Sequence, residues 1–282
     1  MNKRLLSTAC ILVVFTTGMT AQDVSVQDKL IDVFLNKTIT AGTELENVHF
    51  LDDIAVTRGQ SMLLASSDAI YNIGYGAFTS CKMADKELSA FNILNDKIYF
   101  AAQSTLYRLN AGDKAKKVME LPFNPHRMWG GSEVLYAFAS DTNRNSLYAI
   151  EPNKGECTKI FKAESPIVGV GEFGECLMIL CEDDFYEFHV RKGEYIKLPY
   201  NRRALGKLCS MTIDTRTGTI YLSAENGVFR IYEKQVQKIC GDTGTLFFDA
   251  DGLLVFNAQS PYILRLANEL LYPDEKVIIQ IR

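Results

Sequence analysis

Short apolar runs recur along most of this chain, each broken by a polar turn and followed by a run that ends in an aromatic pair. The phrase reads MLLASSDAIYNI at 62–73, IYFAAQSTLYRL at 98–109 and LYAFASDTNRNSLYAI at 135–150. It returns as LMILCEDDFYEF at 177–188, IYLSAENGVFRI at 220–231 and LLVFNAQSPYILRL at 253–266. Alternating apolar positions, β-branched and aromatic enrichment, and Gly/Asn/Asp punctuation predict pairs of strands joined by tight turns. The matching positions Tyr71, Tyr107, Tyr148, Tyr186, Phe229 and Leu264 lie 36, 41, 38, 43 and 35 residues apart. Six copies at a near-constant spacing mark a repeat architecture.

Each copy carries a further strand on either side. AFNIL (90–94), IVGVGE (167–172), CSMTID (209–214) and TLFFDA (245–250) precede a copy. KKVMEL (116–121), CTKIFK (157–162), EYIKL (194–198) and VQKIC (236–240) follow one. The unit is therefore a four-stranded antiparallel meander. A single twisted sheet of this size cannot cover both of its faces, whereas sheets packed radially bury face against face and keep only short edges. The pattern predicts an all-β chain, a six-bladed β-propeller of four-stranded blades over 48–282. Its sixth blade needs an outer strand, which KVIIQIR (276–282) supplies or VFLNKTIT (33–40) replaces. The segment 22–47 reads as an edge strand or a short helix, since Leu30, Val33 and Phe34 also fit helical spacing.

IDTRTGTIYLSAENGVFRI (213–231) and FFDADGLLVFNAQSPYILRL (247–266) resemble blades of the NHL/TolB-like type of six-bladed propeller. That resemblance implies strands running a to d from axis to rim. It places the d-to-a connections and the b–c turns on one face, the usual binding face. It implies little about activity.

The N-terminus changes the picture of where the protein works. Lys3 and Arg4, an apolar run from Leu5 to Phe15, and a small polar segment ending at Ala21 form the layout of a secretory signal peptide over 1–21. The run is too short for a permanent span, and no second stretch of spanning length follows. The mature chain is expected in the periplasm, on the cell surface or secreted. Removing Lys3 and Arg4 leaves 28 basic against 34 acidic residues (30 − 2 against 34). An acidic chain without a basic tract is a poor match for nucleic acid. Six cysteines remain, Cys81, Cys157, Cys176, Cys181, Cys209 and Cys240. An oxidising compartment permits disulfides among them, in any of 15 pairings. Cys176 and Cys181 sit five apart on one strand, hence on opposite faces.

Two stretches stand out as inter-blade loops, ELPFNPHRMWGG (120–131) and KLPYNRRALGK (197–207). Both read Leu-Pro-aromatic-Asn followed by arginine. They nominate His126, Arg127, Trp129, Tyr200, Arg202 and Arg203 as a basic-aromatic patch for a partner, because arginine forks match carboxylates and Trp and Arg concentrate at binding hot spots. The plainer reading makes the prolines and aromatics structural and pairs the arginines with acids such as Glu182, Asp183 and Asp184. No His-x-His, His-Glu-x-x-His or paired-cysteine spacing occurs among His49, His126, His189 and the cysteines, so neither a metal nor another cofactor is expected. Gly169, Gly171 and Gly174 spell a glycine motif, yet no predicted helix follows, which argues against a phosphate loop. Calcium-dependent lactonase-like propellers place a Glu, Asn and Asp set around their channel; the acids on the b–c turns here (Asp68, Asp141, Glu182 to Asp184, Glu225) are expected farther from the axis.

The resulting expectation is an exported, non-catalytic scaffold that engages a protein or glycan of the cell envelope through its inter-blade face. A hydrolase or lyase working in the central channel is the competing expectation, and an envelope spacer the third. On this reading, replacing Arg127, Trp129, Arg202 and Arg203 together abolishes capture and leaves the melting temperature nearly unchanged.

Overall fold

The computed structural model of the chain describes residues 32–33 and 49–267, apart from 58–60, 75–76, 84–85, 111–113, 140–144, 200–201, 233–234, 250–251 and 258–261. A two-residue strand, β1 (Asp32–Val33), comes first. Blade one is β2 (Phe50–Val56), β3 (Met62–Ser66), β4 (Ala69–Gly74) and β5 (Ala77–Lys82). Blade two is β6 (Leu88–Leu94), β7 (Lys97–Ala102), β8 (Thr105–Asn110) and β9 (Lys114–Glu120). Blade three is β10 (Pro125–Gly130), β11 (Leu135–Ala139), β12 (Ser146–Glu151) and β13 (Glu156–Lys162). Blade four is β14 (Ile167–Phe173), β15 (Cys176–Cys181), β16 (Phe185–His189) and β17 (Glu194–Leu198), and a one-turn helix α1 (Arg202–Leu205) follows it. Blade five is β18 (Leu208–Asp214), β19 (Thr219–Ala224), β20 (Gly227–Tyr232) and β21 (Gln235–Cys240). Blade six takes β22 (Thr245–Asp249), β23 (Gly252–Asn257) and β24 (Tyr262–Ala267) from the end of the described chain.

Among the described residues, six four-stranded antiparallel sheets result, the predicted meander in five of them. The closing strand differs from the first expectation. The outer position of blade six, which the pattern offered to 276–282, is occupied by β1, with Asp32 opposite Arg265 and Val33 opposite Leu264. The stretch 276–282 lies outside the described residues. Of the alternative strand 33–40, only Val33 is among the described residues, and it takes this position together with Asp32.

The second strand of a blade is buried on both faces: every residue of β3, β11 and β19 is buried. That explains why these strands read as unbroken apolar runs such as MLLA and LYAFA. The rim strands β9, β13 and β17 are largely exposed and carry the lysines and glutamates. Between consecutive blades lie separate apolar clusters. Phe91 and Phe100 pack with Leu63 and Ile70 between blades one and two. Phe138 and Phe161 pack with Ile179 and Phe188 between blades three and four, and Met178 and Phe185 with Met211 and Leu222 between four and five.

Polar bonds also stitch blade to blade. Leu88 N donates to Ser67 O at 2.7 Å and Asn92 Nδ2 to Met128 O at 2.9 Å. Leu246 N donates to Ser210 Oγ at 3.0 Å, and Thr245 Oγ1 to Asp52 O at 2.7 Å. The innermost strands of blades two to five share a bulge near their start, between Leu88 and Ala90, Pro125 and Arg127, Ile167 and Gly169, and Leu208 and Ser210. A bulge adds one unpaired residue and re-aims those after it.

Crowding at the axis makes Gly130 a sensitive position. A Cβ there would lie 2.0 Å from the Ile93 carbonyl oxygen of blade two. Gly130→Ala is therefore expected to force two innermost strands apart and cost about 3 kcal/mol, read as a lowered denaturant midpoint with an unchanged β-rich circular dichroism spectrum.

Candidate functional site

The site is built on the innermost strands. All six contribute to an axial cavity of about 340 Å³ whose lining includes Asp53 of β2, Asn92 of β6, Arg127 and Trp129 of β10, Glu172 of β14, Thr212 of β18 and Thr245 of β22. Gly131, Ser132 and Thr215, at the a–b turns, also line it. The cavity thus occupies the a–b half of the channel, the end opposite the d-to-a connections.

Arg127 crosses this channel. It follows the bulge in β10, where the equivalent positions of neighbouring blades are small: Ala90, Gly169 and Ser210. Its side chain is 9% exposed and reaches three other blades. Nε donates to Asp53 Oδ1 at 3.0 Å, a terminal nitrogen to Val168 O at 3.1 Å, and the other to Thr245 Oγ1 at 3.4 Å. Its guanidinium also lies 5.3 Å from the centroid of the Trp129 ring, within cation–π range. Asp53 is wholly buried, and burial raises its pKa to about 6 while Arg127 pulls the other way. Its second oxygen, Oδ2, has no hydrogen-bond partner. Desolvation prevails over the pull of Arg127 and of the Met128 backbone, and the charge of Asp52 adds to the rise.

At the mouth, Glu172 accepts from Ser132 N and from Tyr136 Oη, both at 2.8 Å. Burial and this carboxylate together hold the Tyr136 hydroxyl protonated, far above its ordinary range. Glu172 is only partly buried, so lone pairs remain toward the opening.

These positions correct the expected patch. The stretch 120–131 is an inter-blade loop only as far as Asn124; His126, Arg127 and Trp129 lie on the innermost strand of blade three. His126 and Trp129 each pack on Phe138, with ring centroids 5.5 Å and 5.4 Å apart, and Phe123 stacks on Tyr148 at 4.1 Å. The apolar pattern of PHRMWG conceals a strand because arginine and histidine interrupt it. Arg203 sits exposed on α1, in the connection from blade four to blade five; Tyr200 and the side chain of Arg202 lie outside the described residues. Among the described residues, the fold separates Arg203 on the blade four to blade five connection from His126, Arg127 and Trp129 on β10. Because Arg127 is an internal ion-pair partner, the four-residue replacement is now expected to lower the melting temperature.

The acids on the b–c turns take structural roles. Lys207 Nζ meets Glu182 at 3.1 Å and Lys197 Nζ meets Asp184 at 2.6 Å, while Asp68 accepts from Ser66 Oγ at 2.6 Å. Asp141 lies outside the described residues. Residues 169–176 form the β14–β15 hairpin, not a phosphate loop. None of the six cysteines, all among the described residues, is in a disulfide.

Sequence reasoning passed over Asp53, Asn92 and Glu172. Their trace was polar residues set in otherwise apolar first strands, as in LDDIAV, AFNIL and IVGVGE. It also passed over a second group, Cys176, Glu187 and His189, in which Cys176 Sγ lies 3.5 Å from Glu187 Oε1 and 3.4 Å from the His189 ring nitrogens. No contiguous motif announces it, because Cys176 and His189 meet only through strand register.

The geometry defines a β-propeller. No family model matches the chain and no curated relative matches it. Solved structures share its fold. A gluconolactonase from Xanthomonas campestris is 12% identical with a TM-score of 0.62, covering 78% of this chain and 86% of its own. A luciferin-regenerating enzyme is also 12% identical, at 0.60, covering 79% and 92%. The extracellular domain of BT4673 from B. thetaiotaomicron is 13% identical, at 0.55, and covers 77% of this chain. The chain spans about a third of that extracellular domain. At these identities the likeness is one of fold, shared by enzymes and by domains not described as enzymes.

Arg127→Met is expected to cost about 3–5 kcal/mol, because it strands a buried carboxylate. Adding Asp53→Asn should recover part of that loss, a coupling measured by a double-mutant cycle in urea. Asp53 also sets a pH trend. Its folded pKa of about 6 exceeds the unfolded 3.8, so the folded state takes up the proton first. Its contribution favours folding below about pH 4 and is lost as pH rises through 6. The stability of the natural protein relative to Asp53→Asn should therefore grow as pH falls from 7 to 4, followed by melting across that window.

Proposed function

We propose that the protein is an exported, non-catalytic recognition propeller that takes a small polyhydroxylated group, such as a sugar unit of a glycan, into the a–b end of its axial cavity. The observation that carries this reading is the composition of that cavity. A partly buried carboxylate at its mouth, threonine hydroxyls around its wall, a fixed guanidinium at its inner end and the Trp129 ring supply the mix of directional polar groups and apolar faces that orients a hydroxylated ligand. The signal-peptide layout of 1–21 supports a place outside the cytoplasm.

Arg127 weighs against divalent-metal lactonase chemistry in the channel. Its positive charge, tied to Asp53 within the cavity, repels a metal cation there. A hydrolytic reading keeps one supporting observation, the buried Asp53 with its elevated pKa and unpartnered Oδ2, since a carboxyl titrating near neutrality suits general-base work.

The processed protein, titrated with neutral mono- and oligosaccharides by calorimetry, is expected to bind at least one of them. Glu172→Gln should weaken that binding about tenfold, and Arg203→Ala should leave it unchanged. Loss of binding in Arg203→Ala would move the ligand to the opposite face. Turnover of a lactone or ester that disappears in Asp53→Asn would replace recognition with catalysis.

A further inference from the structure

Blade four carries a cluster remote from the axial chemistry. Cys176 opens β15 and His189 closes β16, directly opposite each other in the antiparallel register. Glu187 stands two residues before His189, so both side chains emerge on the same face of the sheet. That face is the one toward blade five: Met178 and Phe185, which share it, belong to the apolar cluster with Met211 and Leu222. Cys181, at odd spacing from Cys176, lies in the cluster on the other face. The β14–β15 hairpin thus turns Glu172 toward blade three and Cys176 toward blade five.

From this geometry we infer that Cys176, Glu187 and His189 form a binding site for a zinc-class divalent ion, with its fourth position open to solvent. Three different donors converge: Sγ to Oε1 is 3.5 Å, Sγ to the imidazole nitrogens 3.4 Å, and Glu187 Oε1 to His189 Nε2 3.9 Å. Bond lengths of about 2.3 Å to sulfur and 2.0–2.1 Å to nitrogen or oxygen put donors on a tetrahedral ion about 3.3–3.6 Å apart. The two sulfur distances already match, and the third closes with a small turn of the imidazole. All three groups are partly buried and sit on the two central strands of a sheet, so the frame is set before any ion arrives. Thiolate, imidazole and carboxylate together suit Zn²⁺ and its cobalt stand-in better than Mg²⁺ or Ca²⁺, which prefer all-oxygen shells.

A proton balance follows from the thiol, since only its thiolate binds a metal ion. Coordination must displace the thiol proton, and binding should release close to one proton per ion.

The processed protein, reduced and freed of metal with a chelator, is titrated with Co²⁺ and then Zn²⁺. The expected result is one equivalent of Co²⁺ giving a thiolate-to-cobalt charge-transfer band and strong visible absorption, both erased by Zn²⁺. Cys176→Ser should remove the charge-transfer band, and His189→Ala should weaken binding about 100-fold or more. Cys209→Ser, at the exposed cysteine on β18, should change neither. Absence of the band in the natural protein overturns the site, as does its survival in Cys176→Ser. Calorimetry in two buffers of different ionisation enthalpy reads the proton released; none released would also count against it.

Discussion

A charged side chain carried into the axis of the ring sets the terms for the rest of the molecule. Six sheets meeting at a common line leave a channel, and the Arg127 guanidinium fills its interior by bonding to Asp53, Val168 and Thr245. These belong to blades one, four and six, so one residue of blade three touches strands from across the circle. Such a bridge is not an efficient source of stability, since burying both charges offsets much of their attraction. Its value is geometric. Removing either partner leaves the other stranded, which holds the first strands in one mutual arrangement and fixes where the channel ends and the cavity begins.

Much of this architecture was legible in the chain. The six-fold phrase survives as the central hairpin of each blade, because strands buried on both faces must be apolar at successive positions while the turns between them must be polar. The first strands were harder to read. PHRMWG carries histidine, arginine and tryptophan in a row, and nothing local distinguishes it from a loop; only the bulge at Pro125–Arg127 and the small residues of neighbouring blades make room for it. Asp53 was likewise hidden, since its partner lies 74 residues away in sequence. Charges that pair across the axis depend on ring closure, a property of no single repeat.

Blade four departs from uniformity in its side chains rather than in its strand order. Its first hairpin offers a carboxylate to the cavity mouth on one side and a thiol to a mixed donor group on the other. Both belong to the same hairpin, where Glu172 stands opposite Leu177 and alternation sends the next residue, Cys176, to the other face. The aromatic side chains of Phe161, Tyr186 and Tyr195 meet edge-on beside it, with centroids 5.3–5.7 Å apart. A blade so braced is a suitable platform for groups that must hold position.

The composite sixth sheet has a kinetic side. Strand β1 joins β24 across the longest sequence separation of any strand pair described, whereas every other pairing links strands adjacent in the chain. Local hairpins form quickly and distant pairings slowly, so the blades can assemble in series while the ring stays ajar. A segment near the start of the polypeptide then acts as the final latch. Until it engages, blade six keeps a bare edge, available to any extended strand that arrives first.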